Sequence, residues 1–405
     1  STTTKTETTT NPDGSTTKTE TKSDGTVTET TTNKDGSTTK TESKTETKSD
    51  GSTVETVTET RTEADGSKTE TKSETTTATD GTVTESKTET TTGTDGSKTE
   101  TKSETKTDAN GVTSGTETST TTAANGSTGT TTTVIENGVS KTEAEAKISD
   151  KAVSDAKKSD EAVKIPTEVK AGGDSASAPT VKIDLPSSAG ETKIEIPVKD
   201  VSAGTVAVIV HPDGTEELIK ESLPTEGGVQ LTVDGSVTVK IVDNAKDFKD
   251  TKNHWAADSI DFVSARGLVN GTGGDSFDPN TASTRAQLWT ILARRSGTDL
   301  TGGASWYEKA QEWAKTNGIS DGSAPNSSIT RAQMVTMLWR AAGSPKTDGA
   351  NAFNDVPTGS YYADAIAWAA AHGITTGVGN GAFDPNGTCT RAQIAAFLHR
   401  SYLSE

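Results

Sequence analysis

Along residues 1–140 the side chains alternate with a period of two, yet both faces so defined are polar. Ser67, Thr69, Thr71, Ser73 and Thr75 fall on one side, and Lys68, Glu70, Lys72 and Glu74 on the other. That is strand periodicity carried by β-branched threonine instead of an apolar stripe. Asp-Gly or Asn-Gly dipeptides punctuate it at 50, 65, 80, 95, 110 and 125, fifteen residues apart, and at 13, 24 and 35, eleven apart. Such dipeptides signal two-residue type I′ hairpin turns.

Three arrangements meet this pattern. In an up-and-down meander with two-residue turns, residues whose numbers sum to 131, 161 or 191 face each other. That sets Glu63 by Lys68, Arg61 by Glu70, Glu59 by Lys72, Lys72 by Glu89, Glu74 by Lys87, Glu85 by Lys106, Lys87 by Glu104 and Glu89 by Lys102, every pair opposite in sign. A solenoid would instead stack Glu59, Glu74, Glu89 and Glu104 in one column, where like charges repel. The meander is therefore preferred to the solenoid between 52 and 109. Around the turn at 50 the same rule sets Glu46 against Glu55, Glu42 against Glu59 and Lys40 against Arg61, so irregular or slipped pairing is expected there and upstream. The third arrangement is a disordered tether, because so few apolar side chains bury little against a backbone entropy of roughly 1–2 kcal/mol per residue. A single-layer antiparallel sheet and a disordered stalk both stay open; either makes residues 1–140 a hydrophilic stalk.

From Glu143 to Lys164 helix formers take over and predict a short helix breaking at Pro166. Alternating apolar runs follow: TVKIDLP from 180, ETKIEIPV from 191, TVAVIVHPDGTEELI from 205 and VQLTVDGSVTVKIV from 229. They read as strands, the last two runs folded back at Asp213-Gly214 and Asp234-Gly235. The expected organisation is a helix and linker over 141–175 and a small all-β domain over 176–246.

Beyond Asp247 apolar residues recur at spacings of three and four: Leu288, Ile291, Leu292; Met334, Met337, Leu338; Ile394, Phe397, Leu398. Each set follows the tetrapeptide TRAQ, at 284, 330 and 390. Each copy opens on an aromatic (Trp255, Trp306, Tyr361), runs through a helix holding a second (Phe262, Trp313, Trp368) and stops at glycine (Gly267, Gly318, Gly373), which suits a left-handed helix terminus. Copies one and three add Phe277-Asp278-Pro279 and Phe383-Asp384-Pro385, which copy two lacks. Three helix–loop–helix units are predicted, over 247–297, 298–345 and 346–405. They share one core, since a single unit is too small.

TRAQ has a plain explanation in part. Threonine at the N-cap with glutamine three residues on makes a capping box, which accounts for Thr284 with Gln287, Thr330 with Gln333 and Thr390 with Gln393. It does not account for Arg285, Arg331 and Arg391, cations at the positive end of a helix dipole, disfavoured by a few tenths of a kcal/mol without an anion nearby. The anion is either internal, with Asp278 and Asp384 seven residues upstream as candidates, or an external carboxylate or phosphate met by the guanidinium and the free N–H groups. Arg294, Arg340 and Arg400, late in their helices, read as structural.

Composition narrows the function. All sixteen Phe, Trp and Tyr lie beyond Asp247, while the chain carries 58 acidic and 40 basic residues, of which 248–405 hold only 14 and 13. The negative excess is thus upstream, and an acidic tract repels nucleic acid. No apolar run is long enough to span a bilayer, and the start at Ser1 within a repeat, without a signal peptide, reads as a processed product or fragment. Cys389 reads as a small buried filler; four scattered histidines give no metal-ligand spacing, and no phosphate loop or catalytic triad stands out. No catalytic residue, metal or cofactor is assigned.

Three tandem units with F-x-D (Phe248 and Asp250; Phe353 and Asp355), an aromatic-led helix ending in glycine, F-D-P and a TRAE-like helix start resemble S-layer homology (SLH) domains over 248–402. The resemblance implies an all-α pseudo-trimer that binds secondary cell-wall polysaccharide, typically carrying pyruvate ketals, in grooves between its prongs. It also implies that Arg285, Arg331 and Arg391 contact the acidic sugar, with Asp278, Asp384, Trp255, Trp306 and Tyr361 nearby. Every copy departs from the family in having Gln for Glu, and copy two, without F-x-D and F-D-P, is expected to have an altered or silent groove. The chain is expected at the bacterial surface, in the wall or S-layer, anchored without covalent attachment. Alternatives are an exoenzyme with its catalytic domain upstream, and a filament or adhesin self-associating through sheet edges.

Overall fold

A three-residue turn, used at corner after corner, sets the register of the N-terminal tract. In the computed structural model, which describes residues 3–349 and 351–404, Lys48 N donates to Ser52 O (2.8 Å) and Gly51 N to Lys48 O (3.0 Å), with Gly51 at φ 87°. Asp50 Oδ1 accepts from the Ser52 N–H (2.9 Å) and hydroxyl (2.6 Å). This is a type I turn closed by a left-handed glycine. The same bonds recur at 11–15, 33–37, 63–67 and 93–97. The expected type I′ turn occurs instead at Asn137-Gly138, where both φ values are positive, 51° and 79°.

The extra turn residue moves the pairing by one position, and a one-residue move exchanges the two faces of a strand. Arg61 therefore faces Thr69, Glu59 faces Thr71, Glu74 faces Ser86 and Lys87 faces Ser103, so none of the eight expected charge pairs forms. The like-charge conflicts at the turn at 50 vanish for the same reason: Glu46 meets Val54, Glu42 meets Thr58 and Lys40 meets Thr60. Pairing stays regular upstream to Thr4–Thr10. Charges pair along a strand instead, two residues apart, as in Lys44–Glu46 (2.6 Å), Arg61–Glu63 (2.5 Å) and Lys68–Glu70 (2.7 Å). Across strands hydroxyls bond, Thr99 to Thr121 at 3.0 Å and Thr133 to Thr142 at 2.8 Å. Each face thus alternates charged rows with hydroxyl rows.

The chain divides into two compact units. The first runs to Asp200 and adds Val208–Glu217 and Thr225–Val242; the second holds Val201–Ala207, Leu218–Pro224 and the chain from Asp243 onward. The eleven meander strands, Thr4–Thr10 to Val139–Lys147, lie in sequence order as an ordered single-layer sheet. That sheet continues without a break through Thr180–Asp184, Val237–Asp243, Thr205–Val210 and Glu216–Ile219, making fifteen strands. The join is parallel, Glu143 facing Thr180 and Lys147 facing Asp184. Glu143–Lys147, expected to be helical, is strand because Ala144, Ala146 and Ile148 alternate into the interior, all buried. The helix, α1, is Asp150–Ser159, capped by Ser149. A five-stranded second sheet centres on Glu191–Lys199 and Gly228–Asp234. Ile194, Ile196, Val229 and Leu231 from it, and Val181, Ile183, Val239 and Ile241 from the first, supply the alternating buried positions. Asp234-Gly235 is accordingly a corner between sheets, not the expected hairpin; Ser236 Oγ accepts from Leu185 N (3.0 Å) there.

The second unit is helical: α2 (Ala257–Ala265), α3 (Arg285–Arg295), α4 (Glu308–Thr316), α5 (Arg331–Ala341), α6 (Ala363–Ala371) and α7 (Arg391–Leu403). Leu288, Trp289, Met334, Leu338, Ile394 and Leu398 from α3, α5 and α7 meet in one core. Cys389 is fully buried within it.

Candidate functional site

The starts of α3, α5 and α7 carry complete capping boxes: in each, the N-cap threonine hydroxyl accepts from the glutamine N–H and the glutamine side chain accepts from the threonine N–H. The next N–H groups are not free, as the sequence reading supposed. Arg285 N and Ala286 N donate to Ser327 O and Pro325 O, both at 3.0 Å. Arg331 N and Ala332 N donate to Gly387 O (2.9 Å) and Pro385 O (3.0 Å), and Arg391 N and Ala392 N to Thr281 O and Pro279 O, both at 2.9 Å. Copy one therefore docks on the loop of copy two, two on three, and three on one. Bridges Thr284–Ser328, Thr330–Thr388 and Ala282–Thr390 close this ring.

The guanidinium groups follow the same circuit. Arg285 Nε donates to Ser323 O (2.8 Å), Arg331 Nε to Phe383 O (2.9 Å) and Arg391 Nε to Phe277 O (2.8 Å). Their remaining nitrogens differ. Arg285 pairs with Asp321 (2.8 Å) and bonds Ser320 Oγ (2.9 Å), and Arg391 donates to Asn270 O (2.6 Å). Arg331, only 5% exposed, stands against the Phe383 and Phe397 rings. Its terminal nitrogens have no partner among the described residues and are not sealed from solvent. Burial lowers the pKa of Arg331 and Arg391; the carboxylates that oppose this are Asp384 and Asp355 for Arg331, and Asp278 and Asp250 for Arg391. Each predicted aspartate thus neighbours the arginine of the preceding copy, not the arginine seven residues downstream.

Asp278 and Asp384 are exposed and sit at φ 55° and 59°. The F-x-D aspartates hold this left-handed turn: Asp250 accepts from Phe277 N (2.9 Å) and Asp278 N (2.8 Å), Asp355 from Phe383 N and Asp384 N, both 2.8 Å. Copy two keeps the loop with Ser323-Ala324-Pro325, Ala324 also at φ 50°, and Asp321 Oδ1 replaces the distant aspartate by accepting from Ser323 N (2.9 Å). The loop lies under Arg285, not under copy two's own Arg331. Nothing in the sequence signalled the Arg285–Asp321 pair, because the partner comes from the next copy. The motif F-x-D did signal Asp250 and Asp355, though not their work.

Trp255, Trp306 and Tyr361 are 63%, 62% and 59% exposed, whereas Trp289 and Trp368 are core. Trp306 and Tyr361 are each braced edge-on by the next ring, Tyr307 and Tyr362. Tyr361 lies within electrostatic reach of Arg285 and Arg340. The late arginines cap carbonyls of their own copies: Arg294 on Leu268 O (3.2 Å), Arg340 on Ile319 O (3.1 Å) and Arg400 on Ile374 O (3.3 Å). Among the described residues no cluster of metal-ligating side chains occurs, and no helix is long and apolar enough to cross a membrane.

Residues 247–288 and 352–395 match the S-layer homology domain, the first and third of the three copies. An amylopullulanase of Thermoanaerobacterium thermosulfurigenes is 28% identical over 174 residues, covering 38% of this chain and 9% of that protein. The exoglucanase XynX of Acetivibrio thermocellus is 30% identical over 172 residues, covering 38% of this chain and 16% of that protein. The chain spans only a small part of either relative. The S-layer homology match marks a wall-anchoring module and a cell-surface, wall-associated protein.

Proposed function

We propose that the helical unit holds this protein to a bacterial wall by binding an acidic, pyruvylated secondary cell-wall polysaccharide, with 298–345 as the middle of three S-layer homology repeats, between 247–297 and 346–405. The supporting observation is the ring itself: a guanidinium at each of three helix starts, set against the loop of the next copy. A ketal carboxylate supplies the ion-pair partner that Arg331 and Arg391 lack, through charge-assisted hydrogen bonds. The seats are those of Arg331 and Arg391, with that of Arg285 the third of the ring and already paired to Asp321, flanked by Asp278 and Asp384, with Trp255, Trp306 and Tyr361 offering exposed rings to sugar faces. The meander through Val139–Lys147 serves as the stalk, ahead of the helix Asp150–Ser159 and the β domain that follows it. The names of the relatives favour a second reading, in which these repeats anchor a longer polysaccharide-degrading enzyme. Self-association runs through Thr4–Thr10, exposed along its whole length at the sheet edge.

Sedimentation of the chain with purified wall sacculi tests the anchoring. Arg391→Gln is expected to weaken it about tenfold or more, the cost of one charged hydrogen-bonding group, and removal of the ketals from the wall should mimic this. Binding unchanged by ketal removal would retire the carboxylate.

A further inference from the structure

We infer that the three arginine seats are not equivalent: Asp321 is an internal occupant of the Arg285 seat, leaving Arg331 and Arg391 as the two that take a ligand carboxylate. This rests on the anchoring reading and states which of its seats operate. In all three the Nε–H is spent on the carbonyl of the next copy's loop, at Ser323, Phe383 or Phe277. What distinguishes them is the outer edge of the guanidinium. At Arg285 that edge already meets a carboxylate at 2.8 Å. The carboxylate is not a wandering surface acid, since Asp321 Oδ1 also accepts from the Ser323 N–H (2.9 Å) and hydroxyl (2.8 Å), which fix it in the position where an arriving carboxylate has to bond. Those bonds, with the charge of Arg285, hold its pKa below the ordinary range, so it stays ionised at neutral pH.

At Arg331 the opposite holds. The residue is 5% exposed, and its outer nitrogens have no acceptor among the described residues yet open to solvent, so a ligand oxygen can take the place of water there in a charge-assisted hydrogen bond. Asp384 and Asp355 stabilise its charge from a distance, without an ion-pair contact. Arg391 is intermediate, one outer nitrogen spent on Asn270 O and no carboxylate in contact. The asymmetry traces to sequence: copies one and three supply their turn-holding aspartate from F-x-D, far along the chain, whereas copy two supplies it from Asp321, beside the loop and within reach of the arginine.

The test is calorimetric titration of the full chain with the pyruvate ketal of a methyl glucoside, using its methyl ester as the neutral control. The wild type is expected to bind two equivalents of the acid and none of the ester. Asp321→Ala, a change at an exposed position, is expected to bind three, and Arg331→Gln one. Should Arg331→Gln fail to melt like the wild type, the wild-type and Asp321→Ala numbers decide alone. Three equivalents in the wild type, or two in Asp321→Ala, overturn the inference and leave anchoring intact. No binding of the acid by any form, together with no sedimentation on sacculi, overturns both.

Discussion

Arg266 carries a charge into the second unit and meets main-chain carbonyls, with Glu221 acting on it only through its charge. It is 1% exposed, donates to the carbonyls of Ala203, Phe262, Thr205 and Ser222, and stacks 3.6 Å above the Phe262 ring. Burial lowers its pKa only to about 10, so it stays protonated at neutral pH. Arg266→Met fills the space but abandons four carbonyls, and a loss of roughly 3–5 kcal/mol in urea unfolding is expected; a change under about 0.5 kcal/mol would contradict this account. Two half-buried groups oppose each other in pH. His399, stacked on Phe262 at 4.2 Å, has its pKa lowered by burial to about 4. The unfolded ring, near 6.5, gains a proton that the folded ring refuses, so stability falls as the pH drops from about 6.5 to 4. Asp261 is raised to about 6, by burial first and then by Asp258 and Asp243, so its contribution is full below the ordinary carboxylate pKa and is lost as the pH rises through 6. Asp261→Asn should therefore raise the melting temperature relative to wild type at pH 7 and not at pH 4; equal shifts at both would refute the assignment. The capping boxes were legible because their partners lie three residues apart. Arg266 was not, because its acceptors are main-chain groups that only the folded chain assembles.

Strand positions and turn positions in the meander were legible too, and turn type was not. Asp-Gly serves both a two-residue type I′ loop and a three-residue loop ending in left-handed glycine. The discriminating residue is the one that follows, Ser15, Ser37, Ser52, Ser67 or Ser97, whose N–H and hydroxyl return to the aspartate. Face composition cannot select the register here, since both faces are polar; the turns have to do it. Gly66, at φ 93°, has open space where a Cβ would point, so Gly66→Ala isolates backbone strain from crowding. About 1 kcal/mol should be lost, by thermal melting of the β signal in circular dichroism, and Gly66→Asn should lose less. An alanine variant as stable as wild type would mean that the glycine conformation does not hold the register. Among the residues that the predicted helix loses at its two ends, Glu143–Lys147 show the same limit: alanine favours helix locally, but Ala144 and Ala146 are buried as alternate strand positions.

At the scale of the molecule, a helical C-terminal region was readable from where the aromatics and TRAQ fall, whereas the unbroken passage of the meander into the β domain was not, because it depends on one parallel pairing between distant strands. That passage has a mechanical consequence. Up to Thr128–Glu136 each meander strand bonds only to its neighbours in sequence, so that part of the sheet has a stability close to a sum of nearest-neighbour terms. Tension drawn from the first strand toward the β domain runs across the strands and loads one ladder at a time. The strands should therefore peel singly, beginning at Thr4–Thr10. At roughly 3.4 Å per residue the 11-residue repeats next to Thr4–Thr10 release about 37 Å each and the 15-residue repeats after them about 50 Å, so a chain held by its ends in a force experiment should lengthen first in the shorter steps and then in the longer, before the β domain or the helical unit opens. The loss of many strands in one event would show that something beyond neighbour pairing binds the sheet. In the stalk role proposed for it, a sheet that yields by steps would let the protein lengthen under drag while most of its structure stays folded, which a rigid core of the same length does not allow.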